Sequence, residues 1–302
     1  MKVRDDELAT PIGRQVAATI ERMTAILSYA AFTETPEGGN PAGVVLDATG
    51  LQADEMLKIA ADLGYSETAF VIARADAPNE YDVRYFAPEF EVPFCGHATI
   101  ATGVALAERD GTGTLVFHTK AGSIPVETEG ANGNVTATLT SVAPHTEEVP
   151  SEVLHRALHA LRWTVEDLDA ELPPRIAFAG AHHLVLAAAT RERLADLDYD
   201  FDALKALSVE LDLVTIDLVW REDATTFHAR NPFPIGGVVE DPATGAAAAA
   251  FGNYLRELNA VATPATITIH QGVDMGRPSL LKVEIDEASR PEIRVSGRAV
   301  AM

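Results

Sequence analysis

The sequence predicts an α+β protein of two similar lobes, each a mixed, largely antiparallel sheet wrapped around a central helix. Three observations lead to this prediction. The 302 residues, 47% of them hydrophobic, exceed what one core usually serves. Two glycine-centred segments, around Gly96 and Gly245, lie about half the chain apart, and each opens an alanine-rich helix. The other predicted elements recur in the same order in both halves, which indicates a structural duplication. We expect an N-terminal extension over 1–23 and lobes over 24–145 and 146–302.

Apolar periodicity and turn residues predict the elements of the first half. Two strands, ILSYAAFTE and AGVVLD, flank a glycine-rich turn and form a hairpin-like opening. The helix LQADEMLKIAADL ends at Gly64, a natural C-cap. Strands ETAFVIA and YDVRYFAP lead into the first glycine-centred segment, whose helix we expect to reach about Arg109. The runs TLVFHTKAG, SIPVETEG and NVTATLT predict three further strands.

The second half repeats this plan after a predicted linker over 142–151, which contains two prolines and acidic residues. Helices are predicted over 152–161 and near 201–208. Between and after them, strands are predicted at RIAFAG, HHLVLAAA, LDLVTIDLVW and TTFHARNPF. The second glycine-centred helix is expected to reach about Leu258, and the strands TITIHQG, LLKVEID and EIRVSG follow it. Residues 1–23 are expected to be partly helical and loosely packed.

Charge and cysteine content exclude several classes of function. The chain has 23 Lys and Arg residues against 45 Asp and Glu residues, a net charge of −22 that repels nucleic acid and anionic membrane surfaces. The single cysteine, Cys95, excludes an intrachain disulfide framework and a cysteine-rich metal site, and it fits a reducing cytoplasm. No stretch resembles a signal peptide or a membrane span. We expect a cytoplasmic protein that binds neither nucleic acid nor membrane.

The two glycine-centred segments predict one site for an anionic group. We name them the first elbow, PFCGHAT (residues 93–99), and the second elbow, EDPATGA (residues 240–246). Unpaired N–H groups at the start of a helix lie at the positive end of the helix dipole and bind anions. Because the elbows occupy equivalent places in two similar halves, we expect a cleft between the lobes in which both hold one small anionic molecule.

Three side chains in or near these segments are candidates for acid/base chemistry. Glu67 lies between a helix cap and an apolar strand, where partial desolvation suits a general acid/base, although it could also be a solvated or capping carboxylate. His97 begins the first elbow helix, where the dipole favours a neutral imidazole that can donate and accept protons; a capping or packing role is the alternative. Asp241 precedes the second helix and could be only its N-cap, or could also orient a neighbour.

Other candidate chemistry has less support. Cys95 could act as a base, but the equivalent position of the second elbow is Thr244, so racemisation by two thiols is excluded. No HExxH pattern occurs and no metal is expected. No GxGxxG, GxxxxGK[ST] or GxSxG sequence occurs, so nucleotide-binding and serine-hydrolase functions lack support. Arg277 could bind a carboxylate or could be a solvated loop residue.

Taken together, these segments resemble the PhzF-like phenazine-biosynthesis isomerase family, of the diaminopimelate-epimerase-like fold. The resemblance covers about residues 26–300 and depends on five segments in order: FTETPEGGNPAGVVLD, SETAFV, YFAPEFEVPFCGHAT, EDPATG and QGVDMGRPS. It implies two similar lobes with the active site between them, no cofactor or metal, and a homodimer. One position differs from the family pattern DPxTGS, because Ala246 replaces the serine and removes a hydroxyl from the site.

The resemblance also assigns residues to roles. Glu67 would be the proton shuttle, and His97 and Asp241 would position the substrate and assist proton movement. Backbone N–H groups near Gly96, Gly245 and Ala246 would bind the anionic part of the substrate, a small anionic metabolite. Asn40 and Thr244 are further substrate-binding candidates.

Three hypotheses therefore remain open from the sequence. The first is a cofactor-independent isomerase of a small carboxylated metabolite. The second is an epimerase or dehydratase that uses Cys95 and Thr244 on an amino or imino acid. The third is a non-catalytic small-molecule-binding protein, suggested by the missing serine.

Overall fold

A computed structural model of the chain describes residues 25–131 and 133–302. The predicted extension, residues 1–23, lies outside this range. The described residues form seventeen strands, six α-helices and two short 3-10 turns, a mixed, sheet-dominated α+β arrangement.

The strands of the first half are β1 (Ile26–Ala31), β2 (Asn40–Val45), β3 (Glu67–Ala73), β4 (Glu80–Phe86), β5 (Glu91–Val92), β6 (Thr114–Thr119), β7 (Gly122–Glu129) and β8 (Thr136–Thr140). Those that follow are β9 (His145–Glu148), β10 (Arg175–Phe178), β11 (His182–Ala187), β12 (Leu213–Arg221), β13 (Thr226–Phe233), β14 (Val238–Asp241), β15 (Ala265–Gln271), β16 (Ser279–Ile285) and β17 (Ile293–Ala301). The helices are α1 (Ala53–Leu63), α2 (Gly96–Asp110), α3 (Ser151–Leu161), α4 (Arg191–Ala195), α5 (Phe201–Glu210) and α6 (Gly245–Glu257).

Eight strands form a closed ring of pairings around α2. Strand β1 pairs with β2, β2 with β3, β3 with β4, β4 with β6, β6 with β7 and β7 with β8. The last strand of the chain, β17, then pairs with both β8 and β1 and closes the ring. Two of these pairings, β2 with β3 and β4 with β6, are parallel, and the rest are antiparallel.

Helix α2 lies inside this ring and is buried along most of its length. Its residues are mainly small, which lets the surrounding strands approach closely. A Cβ added at Gly103 would lie 3.0 Å from the Val126 side chain and 3.2 Å from Ala137. The helix ends at Asp110, one residue beyond the predicted Arg109, and Gly111 is its C-cap. Close packing of the ring on α2 therefore holds the helix and, with it, the first elbow at its N-terminus.

A second run of strands packs against α6. It follows the order β9, β10, β11, β12, β13, β15, β16 and β17, so that β17 pairs with strands of both halves. Helix α6 packs closely on this sheet, where a Cβ at Gly252 would lie 2.8 Å from the Val283 side chain. Helices α3 and α5 cover β11 and β12 from the outer face, and α1 covers β3 and β4.

Most predicted elements are confirmed within a few residues. Strand β3 coincides with the predicted ETAFVIA, and α1 ends at Gly64, whose φ of 68° is left-handed. Within the predicted linker over 142–151, residues 145–148 form β9 and pair with β10, a strand that was not predicted. Strand β14, which pairs with β13 and ends at Asp241, was also not predicted. In the described part of the chain, no helix has the length and apolar character needed to cross a membrane.

Candidate active site

The fold brings the three predicted acid/base residues together. Glu67 begins β3, His97 is the second residue of α2, and Asp241 ends β14. All three are buried, with between 4% and 9% of each residue exposed. Glu67 and Asp241, which are 174 positions apart in sequence, thus lie near the imidazole ring of His97. This placement agrees with the sequence prediction of a shared site.

Glu67 and His97 form the centre of this group. The Oε2 atom of Glu67 lies 3.5 Å from Nε2 of His97. The hydroxyl of Ser66, the residue before Glu67, lies 3.4 Å from the same nitrogen. The position of Glu67 is set by the parallel pairing of β3 with β2, in which Glu67 lies opposite Ala42. A carboxylate and a buried imidazole at this distance can exchange or share a proton with a molecule bound beside them.

Asp241 is held by hydrogen bonds on both carboxyl oxygens. Its Oδ1 accepts from the side-chain amide of Asn40 at 2.7 Å, and its Oδ2 accepts from the hydroxyl of Thr244 at 2.7 Å. Burial raises the pKa of Asp241 to about 6; the charge of His97 lowers it, and the charge of Glu67 raises it. Asp241 is therefore not the N-cap of α6, which is Thr244; its carboxylate orients Asn40 and Thr244, and it titrates closer to neutral pH than an ordinary aspartate.

Gln271 braces the second elbow from β15. Its side-chain amide donates to the carbonyl of Asp241 at 2.7 Å and to the hydroxyl of Thr244 at 3.0 Å. Its side-chain oxygen accepts from the backbone N–H of Thr244 at 3.0 Å. Both the hydroxyl and the N–H of Thr244 are thus used inside the protein, so its predicted substrate contact would require these bonds to change.

A buried ion pair anchors β14 next to Asp241. The guanidinium of Arg230 on β13 donates two hydrogen bonds to the carboxylate of Glu240, and both side chains are less than 10% exposed. Tyr199 also donates from its hydroxyl to the carbonyl of Val239 at 2.6 Å. These contacts fix the strand that carries Asp241.

The two elbows contact each other through their glycines. A Cβ added at Gly96 would lie 3.3 Å from Cα of Gly245 and 3.4 Å from the nitrogen of Ala246. Within the described residues, neither α2 nor α6 has a side-chain hydrogen-bond cap at its N-terminus. Two uncapped helix starts, each with a partial positive charge, therefore face the same place, an arrangement that favours an anion.

Phe32 packs between the sheet and the second elbow in an unusual backbone conformation. Its φ is 63°, in the left-handed region that bulky side chains rarely adopt, and it is fully buried. Its ring packs so closely on Gly297 that a Cβ there would lie 2.3 Å away, and its tip contacts Gly245. Hydrogen bonds to Arg298 and from Leu280 hold its backbone. The conformation is maintained by these contacts and positions the aromatic ring against α6.

Cys95 completes the group around His97. Its Sγ lies 3.4 Å from Nδ1 of His97. Burial raises the pKa of the thiol well above its usual range, and the nearby carboxylate of Glu67 raises it further. The ligand atoms of Glu67, Cys95 and His97 all lie within 4.8 Å of one another, so among the residues that the structure describes these three form a group that could hold a metal ion.

The structure also shows where sequence reasoning was incomplete. Arg277 does not face an anion, because its guanidinium donates to the carbonyls of Gly38 and Gly39, at 2.6 and 2.8 Å, and holds the turn before β2. Gln271 and Ser66 were not predicted as site residues. Ser66 directly precedes the apolar strand β3, which was the available signal, whereas Gln271 is the last residue of β15 and no local pattern marked it.

Comparisons with known proteins identify the family of the chain. The family model described as "Phenazine biosynthesis-like protein" matches residues 29–302. The chain is 31% identical to the uncharacterized isomerase YfhB of Bacillus subtilis, over 91% of this chain and 95% of that protein. It is 30% identical to trans-2,3-dihydro-3-hydroxyanthranilate isomerase of Pseudomonas chlororaphis, over 88% and 94%.

A solved structure gives the same result. The crystal structure of a Bacillus anthracis phenazine biosynthesis protein of the PhzF family matches with a TM-score of 0.80 and 28% identity, and the match covers 92% of this chain and 96% of that one. The family model and the relatives each extend over most of the chain and include both elbows. The chain therefore belongs to the PhzF family of phenazine biosynthesis-like proteins.

Proposed function

We propose that this protein is a cofactor-independent isomerase of a small carboxylated metabolite and that Glu67 carries the transferred proton. One observation supports this proposal above the others. The buried carboxylate of Glu67 lies 3.5 Å from the imidazole of His97. His97 lies in the first turn of α2, and the uncapped N-terminus of α2 contacts the uncapped N-terminus of α6 through Gly96 and Gly245. The proposed proton carrier would thus lie beside a place suited to an anion.

The proposed reaction moves one proton between two carbons. The substrate carboxylate is held by the first-turn N–H groups near Gly96, Gly245 and Ala246. Glu67 removes a proton from a carbon next to a conjugated system, and the electron pair spreads towards the held anion. The same carboxyl group then returns the proton at another carbon of that system. His97 and Asp241 position the substrate and the proton carrier.

We further propose that the site lies in a cleft between two lobes, residues 24–145 and 146–302, and that two copies of the chain associate. The contact between Gly96 and Gly245 leaves little space between the elbows, so a substrate would require the two helix starts to separate. Closure around the substrate would then exclude water from the carbanion-like intermediate.

Two observations count against the epimerase or dehydratase hypothesis. The raised pKa of Cys95 keeps the thiol protonated at neutral pH, whereas a basic residue requires the thiolate. The hydroxyl of Thr244 donates to Asp241 and is not free to act as the opposing group. Ala246 carries no hydroxyl, so we expect a substrate other than the one named for the Pseudomonas chlororaphis relative.

Hydrogen exchange tests the proposal. The protein would be incubated in D2O with trans-2,3-dihydro-3-hydroxyanthranilate and with a panel of unsaturated amino- and hydroxycarboxylic acids. Binding would be measured by calorimetry, and deuterium incorporation by mass spectrometry and NMR. We expect carbon-bound deuterium and a shifted double bond in at least one compound that binds. Compounds that bind tightly but never exchange would instead support the non-catalytic binding protein.

A further inference from the structure

The side chain of Asn40 lies where three hydrogen-bond acceptors converge. Its amide nitrogen is 2.7 Å from Oδ1 of Asp241, 3.0 Å from the carbonyl oxygen of Ala243 and 3.1 Å from Nδ1 of His97. Asn40 is 1% exposed, so water does not replace these contacts. The NH2 group has two hydrogens for these three acceptors, so one hydrogen is shared, and Asn40 links the first elbow, through His97, to the second, through Asp241 and Ala243.

The acceptors determine which end of the Asn40 amide faces them. A backbone carbonyl can only accept a hydrogen bond, so the atom 3.0 Å from the Ala243 oxygen must be the NH2 group. The opposite orientation would place the amide oxygen against both that carbonyl and the carboxylate of Asp241. The group beside Nδ1 of His97 is therefore a nitrogen that only donates.

A donor at this position determines the tautomer of the neutral histidine. Nδ1 faces the NH2 group of Asn40, which can only donate, and the thiol of Cys95 at 3.4 Å, which can donate from S–H, so Nδ1 is the acceptor and the ring hydrogen is on Nε2. The groups around Nε2 agree with this assignment. They are the carboxylate of Glu67 at 3.5 Å and the hydroxyl of Ser66 at 3.4 Å, and both can accept.

We propose that Asn40 is a positioning residue that holds His97 as its Nε2–H tautomer and directs that hydrogen at Glu67 and the substrate. The predicted direct role of Asn40 in substrate binding is thereby replaced by a role through His97. The tautomer assignment itself does not depend on the proposed function. Its catalytic consequence does, because a ring that donates from Nε2 cannot take up the proton removed from substrate, which leaves Glu67 as the carrier.

The same assignment bears on the three possible metal ligands. A metal ion bound to Nε2 needs the hydrogen on Nδ1, where it would face the donor of Asn40 at 3.1 Å. The hydrogen bonds of Asn40 therefore oppose a metal ion shared by Glu67, Cys95 and His97 through this nitrogen.

Nitrogen NMR tests the tautomer directly. The full chain would be labelled with 15N-histidine, and long-range 1H–15N correlations would be recorded near pH 8, with His97→Gln to assign the ring. We expect the wild-type ring to show a protonated Nε2 and an unprotonated Nδ1. In Asn40→Leu and Asn40→Ala we expect a measurable fraction of the Nδ1–H form. Ser66→Ala, which alters only the Nε2 side, is the matched control and should keep the wild-type tautomer.

Two results would overturn the proposal: an Nδ1–H tautomer in the wild type, or an unchanged Nε2–H tautomer in both Asn40 variants. Exchange kinetics provide a second readout. Asn40→Ala should lower kcat for deuterium incorporation by about 10- to 100-fold with little change in substrate affinity. A loss confined to affinity would show a direct binding role instead. If no compound exchanges at all, the proposed function fails, while the NMR result still decides the tautomer.

Discussion

Replacing Asp217 with asparagine should stabilise the protein at alkaline pH. Asp217 lies on β12 and is 2% exposed, and in the described residues its carboxylate accepts a hydrogen bond from Asn231 alone, at 3.0 Å. Burial raises its pKa from 3.8 to about 7, against a smaller lowering by that hydrogen bond. At 1.36 kcal/mol per pKa unit, keeping this group charged costs about 4 kcal/mol. Asparagine keeps the shape of the side chain and its hydrogen-bond acceptor but carries no charge. We therefore expect the free energy of unfolding at pH 8 to increase by about 2–4 kcal/mol.

Urea unfolding at pH 4 and pH 8 measures this effect. Because the folded-state pKa is raised, the folded protein binds this proton more tightly than the unfolded chain does. The stability this contributes is present below pH 4 and is lost as the pH rises through about 7. Asp217→Asn should therefore match the wild type at pH 4 and exceed it at pH 8. Asp212→Asn, at a side chain 98% exposed, is the control and should change little at either pH. A gain that is the same at both pH values would refute the reasoning.

Three further substitutions test other parts of the site. Gly96→Ala places a Cβ 3.3 Å from Cα of Gly245 and obstructs the closure of the elbows around a substrate, so we expect a folded protein, checked by circular dichroism, with deuterium exchange reduced about 100-fold; unchanged exchange would contradict this. Arg230→Met leaves the buried Glu240 carboxylate without its ion pair and should cost about 3–5 kcal/mol in urea unfolding. The double variant Arg230→Met/Glu240→Met should recover most of the lost free energy of unfolding. A double variant as unstable as Arg230→Met alone would contradict the explanation by an unpaired Glu240 carboxylate. Cys95→Ser should leave exchange nearly unchanged because the thiol stays protonated, whereas abolished exchange would restore the epimerase hypothesis.

The elements of the fold could be predicted where the signal is local. Strand β3 follows from its continuous apolar run, and the end of α1 follows from Gly64, a glycine that adopts a left-handed conformation. Strand β9 has a polar sequence, HTEE, and forms because β10 offers it an edge. The pairing of β17 with β1, β8 and β16 depends on contacts between distant residues, which periodicity does not encode.

The residues of the candidate site also divide into those that a local sequence pattern indicates and those that only the fold brings into place. Glu67, His97 and Asp241 could be named because each belongs to a short segment of recognisable composition. The brace of Gln271 on Thr244 joins residues 27 positions apart, so no local pattern indicates it. The left-handed backbone of Phe32 was equally hidden, since nothing in its sequence neighbourhood marks a bulky residue with positive φ.

The central claim is that Glu67 carries the proton, and Glu67→Gln tests it most directly. The variant keeps the size of the side chain and removes its ability to take up a proton. Using the compound that exchanges fastest with the wild type, one would measure its deuterium incorporation by NMR and its affinity by calorimetry. We predict that Glu67→Gln binds it with similar affinity and exchanges at least about 1,000-fold more slowly. Exchange at a rate near that of the wild type would show that another group carries the proton and would contradict the mechanism.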